Sequence, residues 1–184
     1  MDKLIPVESE KDIPKSYQKT PIGEFLRYHN LEKNFEPYTQ AQLLIGMCMD
    51  SRKHLRIPDN FAFIIRSGGA NLRPAEFKVS YAIGVGGIQH IAIIGHNHCG
   101  MVDLASRKNV FIKGLVEKAG WHPAQAEEHF YNFASTFEIG NEIQFVLAES
   151  HRLNLRYPKV MVAPMLYKVE DNRVYLIPDE VNEL

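Results

Sequence analysis

Four short, unbroken apolar runs decide most of what this chain can fold into. They are Leu43-Leu44-Ile45-Gly46-Met47-Cys48, Phe61-Ala62-Phe63-Ile64-Ile65, Ile91-Ala92-Ile93-Ile94 and Val160-Met161-Val162-Ala163. Runs this short and continuous suit strands buried on both faces, the condition of a parallel sheet covered by helices. The segments between them carry helical signals. Thr20-Pro21 reads as an N-cap followed by proline at the first helical position, with Ile22, Phe25, Leu26 and His29 on one face. Pro74 opens a helical stretch that Gly84, Gly86 and Gly87 break. Phe111, Ile112, Leu115, Val116 and Ala119 make one stripe ended by Gly120. Pro123 starts a further helix whose Phe130, Phe133 and Phe137 read as core, with a dimer face as the alternative, and Asn141 caps another through Leu153. Leu166 to Val169 and Val174 to Ile177 read as a hairpin about Asp171-Asn172. The expected fold class is α/β: a central, mainly parallel β-sheet flanked by helices, with a C-terminal hairpin. Residues 1–19 show no period and read as an N-terminal arm, leaving 20–184 as one domain.

The rest of the composition narrows function. With 184 residues the chain can bury a core without staples. Its formal net charge is −1, and no basic stripe offers a nucleic-acid surface. No apolar run approaches the ~20 residues that span a bilayer, and residues 1–19 lack the apolar stretch of a secretory signal. The expectation is a cytoplasmic protein without membrane or nucleic-acid partners. There are only two cysteines, Cys48 and Cys99. In a reducing compartment such a pair binds metal or does chemistry more often than it forms a disulfide.

Both cysteines fall in two short segments, Cys48-Met49-Asp50-Ser51-Arg52 and His96-Asn97-His98-Cys99-Gly100, and each begins where an expected strand ends. In open α/β sheets that is where ligands bind. Taken singly, Cys48 or Cys99 reads as a small buried apolar side chain, and Asp50 with Arg52 as a structural ion pair. Taken together, two thiolates and one imidazole form a donor set suited to Zn²⁺. His96 and Cys99 are three residues apart, so one turn can aim both at one ion, with Cys48 arriving from the neighbouring strand. Three protein ligands leave the fourth position to water, which the metal acidifies to a pKa of about 7, or to a carboxylate. Arg52 can hold Asp50 in a bidentate pair. So held, Asp50 can orient a zinc-bound hydroxide; released, it can become the fourth ligand and close the site. His98 can carry a proton near neutrality, but reads first as a solvent-facing loop residue.

The order Cys-x-Asp-Ser-Arg, then Gly-His-x-x-Cys-Gly, resembles the β-class carbonic anhydrases. Cys48-Met49-Asp50-Ser51-Arg52 with Gly95-His96-Asn97-His98-Cys99-Gly100-Met101 is most similar to the compact, archaeal-type branch. Arg66-Ser67-Gly68-Gly69 resembles that family's Arg-Asn-Ala-Gly turn. The resemblance implies zinc on Cys48, His96 and Cys99, Asp50 and Arg52 as the catalytic dyad, and the Gly100 amide as a donor to bound bicarbonate. It implies reversible hydration of CO₂ to bicarbonate and a proton, and self-association as a dimer or higher even oligomer. Several positions depart from the family pattern: Ser67 and Gly68 in the turn, Gln40 and Gln42 out of register with the upstream glutamine of the plant-type branch, Lys53 where an aliphatic residue is common, and Ala163-Pro164 where a glycine is usual. They leave two alternatives beside CO₂ hydration. One is a carbonyl sulfide or carbon disulfide hydrolase with the same zinc site. The other is a non-catalytic zinc-stabilised protein that keeps Asp50 on the metal.

Overall fold

The computed structural model describes residues 4–179. Strands β1 (Leu43–Met47), β2 (Ala62–Arg66), β3 (His90–His96), β4 (Met161–Lys168) and β5 (Arg173–Leu176) form one sheet in the order β2-β1-β3-β4-β5. The first four run parallel and β5 pairs antiparallel to β4. The α-helices are α1 (Lys15–Gln18), α2 (Pro21–Asn30), α3 (Glu76–Gly84), α4 (Lys108–Ala119), α5 (Pro123–Phe137) and α6 (Glu142–Arg156). This is the expected α/β architecture. Among the described residues no helix is long and apolar enough to cross a membrane.

The continuous apolar runs are explained by two separate cores. Leu43, Ile45, Met47, Ala92, Ile94, Ala163 and Met165 face one side, against Phe25 and Leu26 of α2. Leu44, Ile91, Ile93 and Val162 face the other, against Val79 of α3 and Val146 and Leu153 of α6. Alternate residues of one strand thus enter opposite cores, and neither face can be polar. Val7, Ile13 and Tyr17, within the segment before α2, are buried in the first core. The local signals hold as well. Thr20 caps α2 at Gly23, Asn141 caps α6 by accepting from Ile143 and Gln144, and Gly120 ends α4 at φ 73°.

Four expectations fail, each for a tertiary reason. β2 is not buried: it is the sheet edge, and Phe63 and Ile64 are exposed. The stripe on α4 buries none of its residues, because α4 packs on α5 rather than on the sheet. On α5, Phe130 is buried, but Phe133 is 50% exposed and Phe137 only half-buried. The fourth apolar run and the first hairpin arm are one strand, since Pro164 does not break β4. Its ring sits where the β5 ladder stops: Met165 pairs with Leu176, and the Ile177 N–H still donates to the Pro164 carbonyl at 3.2 Å.

Candidate metal centre

The chain leaves β1 towards β2 on one side, then returns across the sheet to β3 on the other. The carboxyl ends of β1 and β3 therefore flank the point where the strand order reverses, the crevice of an open α/β sheet. Cys48 directly follows β1 and His96 is the last residue of β3. Gly95, just before His96, permits the close approach of α6: a Cβ there would lie 2.6 Å from Val146 Cγ2.

One ligand atom from each of Cys48, His96 and Cys99 lies within 4.8 Å of the others, and all three residues are buried. The sulfurs of Cys48 and Cys99 are 4.0 Å apart. His96 Nδ1 lies 2.9 Å from the Asn97 carbonyl. A carbonyl only accepts, so Nδ1 carries the proton and Nε2 presents a bare lone pair. That Nε2 is buried without a hydrogen-bond partner. The two thiols share their ionisation: the contact between them draws the Cys48 pKa down and pushes that of Cys99 up. A second thiolate beside the first is disfavoured.

The donor set fits zinc. Two sulfurs each about 2.3 Å from a tetrahedral zinc stand about 3.8 Å apart, close to the separation seen. The orphaned His96 Nε2 and the second, reluctant thiol are both groups that a divalent cation would satisfy.

Asp50 and Arg52 meet as expected. Arg52 Nε donates to Asp50 Oδ1 at 3.0 Å and Nη2 to Oδ2 at 2.7 Å, while the Arg52 backbone N–H reaches Oδ1 at 2.9 Å. These bonds, the side-chain pair foremost, hold the Asp50 carboxyl well below the usual carboxylate range. Asp50 Oδ2 is 3.9 Å from His96 Nε2, so the carboxylate stands beside the three donors while committed to Arg52. Gly100 follows Cys99, and a Cβ placed on it would meet nothing within 4 Å. His98 is exposed, with its Nε2 3.0 Å from Glu170.

Three contacts escaped the sequence reading. Glu142, the first residue of α6, accepts the Cys99 N–H at 3.2 Å. Glu170 accepts from Asn97 and meets His98. Lys53, at 1% exposure, donates to the Cys48 carbonyl at 2.9 Å, and burial lowers its pKa. Glu142 and Glu170 lie more than forty and seventy residues from their partners, and no local pattern announces such pairs. Beside the site an apolar cavity of about 500 Å³ is lined by Met49, Gly68, Met101, Phe130, Phe133 and Phe137.

A family model described as carbonic anhydrase matches residues 43–173, from the start of β1 to the start of β5. The chain belongs to the carbonic anhydrase family. Solved structures share its fold. The β-carbonic anhydrase isoform I of Trichomonas vaginalis is 18% identical, covering 80% of this chain and 89% of that one at a TM-score of 0.62. The carbonic anhydrase of Streptococcus mutans is 17% identical, over 90% of this chain and all of that one, at 0.59. A carbon disulfide hydrolase in its apo form is 20% identical, over 76% and 79%, at 0.55. At these identities the likeness is one of fold. No curated protein sequence matches the chain.

Proposed function

We propose that this carbonic anhydrase family member hydrates CO₂ reversibly to bicarbonate and a proton, with zinc on Cys48, His96 and Cys99. The observation that carries the reading is the convergence of two sulfurs 4.0 Å apart and a partnerless imidazole nitrogen beside a carboxylate already held by an arginine. Zinc in such a set acidifies a water ligand to a pKa of about 7 and so supplies a nucleophile near neutrality.

The chain's own groups do the rest. His96 is fixed in its ligating tautomer by the Asn97 carbonyl. Asp50, kept ionised by Arg52, can only accept hydrogen bonds and so orients the attacking oxygen. Arg52 keeps Asp50 off the metal. The Gly100 amide offers a donor to bicarbonate. The apolar cavity receives a substrate that carries no charge and sheds water easily.

The same cavity supports the second reading, carbon disulfide or carbonyl sulfide hydrolysis, since its thioether lining by Met49 and Met101 suits polarisable sulfur compounds. The motif form supports the compact, archaeal-type branch, with 20–184 as the catalytic domain. The unpaired edge β2, with Phe63, Ile64 and Phe77 exposed, supports self-association. Two free thiols support a reducing, cytoplasmic setting.

Metal analysis with stopped-flow CO₂ hydration tests the proposal. One zinc per chain and turnover at neutral to mildly alkaline pH are expected; zinc without turnover would overturn it, and sulfide release from carbon disulfide would select the second reading. Asp50→Asn should keep zinc and lose about 10²-fold in kcat, the scale of one positioned proton-transfer group. In a non-catalytic protein with Asp50 on the metal, that substitution would instead loosen zinc.

A further inference from the structure

The Asp50–Arg52 pair does not stand alone. Arg52 Nη2, which donates to Asp50 Oδ2, also donates to the backbone carbonyl of His98 at 3.0 Å. His98 itself sits in the left-handed region, at φ 55°. A histidine held there without a glycine's freedom needs its surroundings to keep it.

The surroundings are a clamp built from the turn between β4 and β5. Asn97 Nδ2 donates to both carboxylate oxygens of Glu170, at 2.6 and 2.7 Å. His98 Nε2 is 3.0 Å from Glu170 Oε1. Asn97 Oδ1 accepts the Val169 N–H at 3.0 Å, and the Asn97 N–H reaches the Tyr167 carbonyl at 3.3 Å. Every side-chain polar atom of Asn97 is therefore tied to one turn, and Glu170 is the only member of the clamp that grips both Asn97 and His98.

We infer that Glu170 is a positioning residue that keeps the metal centre open. Through Asn97 and His98 it presents the His98 carbonyl to Arg52, and so fixes the guanidinium that restrains Asp50. Without the clamp the His98 backbone can relax from its left-handed conformation, Arg52 loses one of its two anchors, and Asp50 is freed. Asp50 Oδ2 already lies 3.9 Å from His96 Nε2, a short swing from the space that the three donors enclose. Glu170 itself is half-exposed.

The inference rests on the metal reading above, and the experiment separates the two. Cobalt(II) in place of zinc reports by visible absorption whether the ion accepts an added anion, here azide. Wild-type protein should take one cobalt and titrate with azide. Glu170→Ala should take the same cobalt but bind azide about fivefold or more weakly, the lower end of ordinary coupling between sites. Glu170→Gln, which keeps one oxygen for Asn97, should fall between. The Glu170 effect should vanish when Asp50→Ala is also present, because no carboxylate is left to compete.

Azide affinity in Glu170→Ala and Glu170→Gln equal to wild type overturns the inference and leaves the metal reading intact. A loss that persists in the Asp50→Ala background overturns it too, since the loop would then act by general loosening. Wild-type protein that takes up no cobalt overturns both.

Discussion

Among the described residues, two histidines are buried with a ring nitrogen lacking a hydrogen-bond partner, His29 and His96. In both the orphan is Nε2, and in both Nδ1 is engaged. The engagement differs in sign. At His96, Nδ1 faces the Asn97 carbonyl and must hold the proton, so the orphan is a lone pair. At His29, Nδ1 accepts the Arg56 backbone N–H at 3.1 Å, so the neutral ring carries its proton on Nε2 and the orphan is a donor. The neighbours differ accordingly. His96 looks onto two sulfurs and a carboxylate, whereas His29 stacks on Phe25 and tilts against Tyr167. An orphaned acceptor among anionic donors awaits a cation; an orphaned donor among aromatic rings is a cost that packing carries.

The largest test of this contrast is deletion. His96→Ala should remove zinc and lower CO₂ hydration by roughly 10³-fold, corresponding to the several kcal/mol a metal ion supplies to such a reaction. His29→Phe should leave both untouched. Zinc content by elemental analysis beside stopped-flow rates checks this, and equal losses in the two variants would break the contrast. Metal removal comes next. Zinc at a thousandfold excess over its Kd should stabilise the wild-type fold by about 4 kcal/mol against chelated protein. Urea titration should show that gain in His29→Phe and not in Cys48→Ser.

The two histidines also show what could be read in advance. His96 was legible because its partners lie in short motifs at the ends of apolar runs: Cys99 three residues on, and Cys48 at the next strand end. The parallel core was legible for the same reason, because β1 and β3 are apolar at every position that enters either core. His29 was placed correctly on the apolar face of α2, but its pairing with Arg56 was not visible, since the contact joins residues 27 apart. Glu170 and Glu142 were invisible for the same physical reason. β2 misled because an edge strand and a buried one can share a composition, and only sheet order tells them apart. For Phe133 helical spacing marks an apolar face but not what covers it, so core and dimer face could not be told apart, and its 50% exposure removes only the first.

Acid separates the two histidines again, more gently. Burial drives the His29 pKa from 6.5 down to about 4. Between those values the unfolded chain binds a proton that the folded one refuses, so stability is full above pH 6.5 and falls as pH drops towards 4. A shift of this size corresponds to about 3 kcal/mol, to be seen as a falling urea midpoint between pH 7 and 4.5. His29→Phe should flatten that slope, whatever its effect at pH 7. The smallest effect lies on the metal-centre side and in a lower window. Asp50 is held below its ordinary 3.8 chiefly by Arg52. Its contribution is present above pH 3.8 and is lost only as pH falls further. Arg52 is half-exposed, and a pair so open to solvent on one side is worth less than about 1 kcal/mol. Asp50→Asn in chelated protein should therefore follow wild type from pH 7 to 4 and diverge only below it. Divergence already at pH 5 would mean that the carboxylate, and not the buried ring of His29, sets the acid limb.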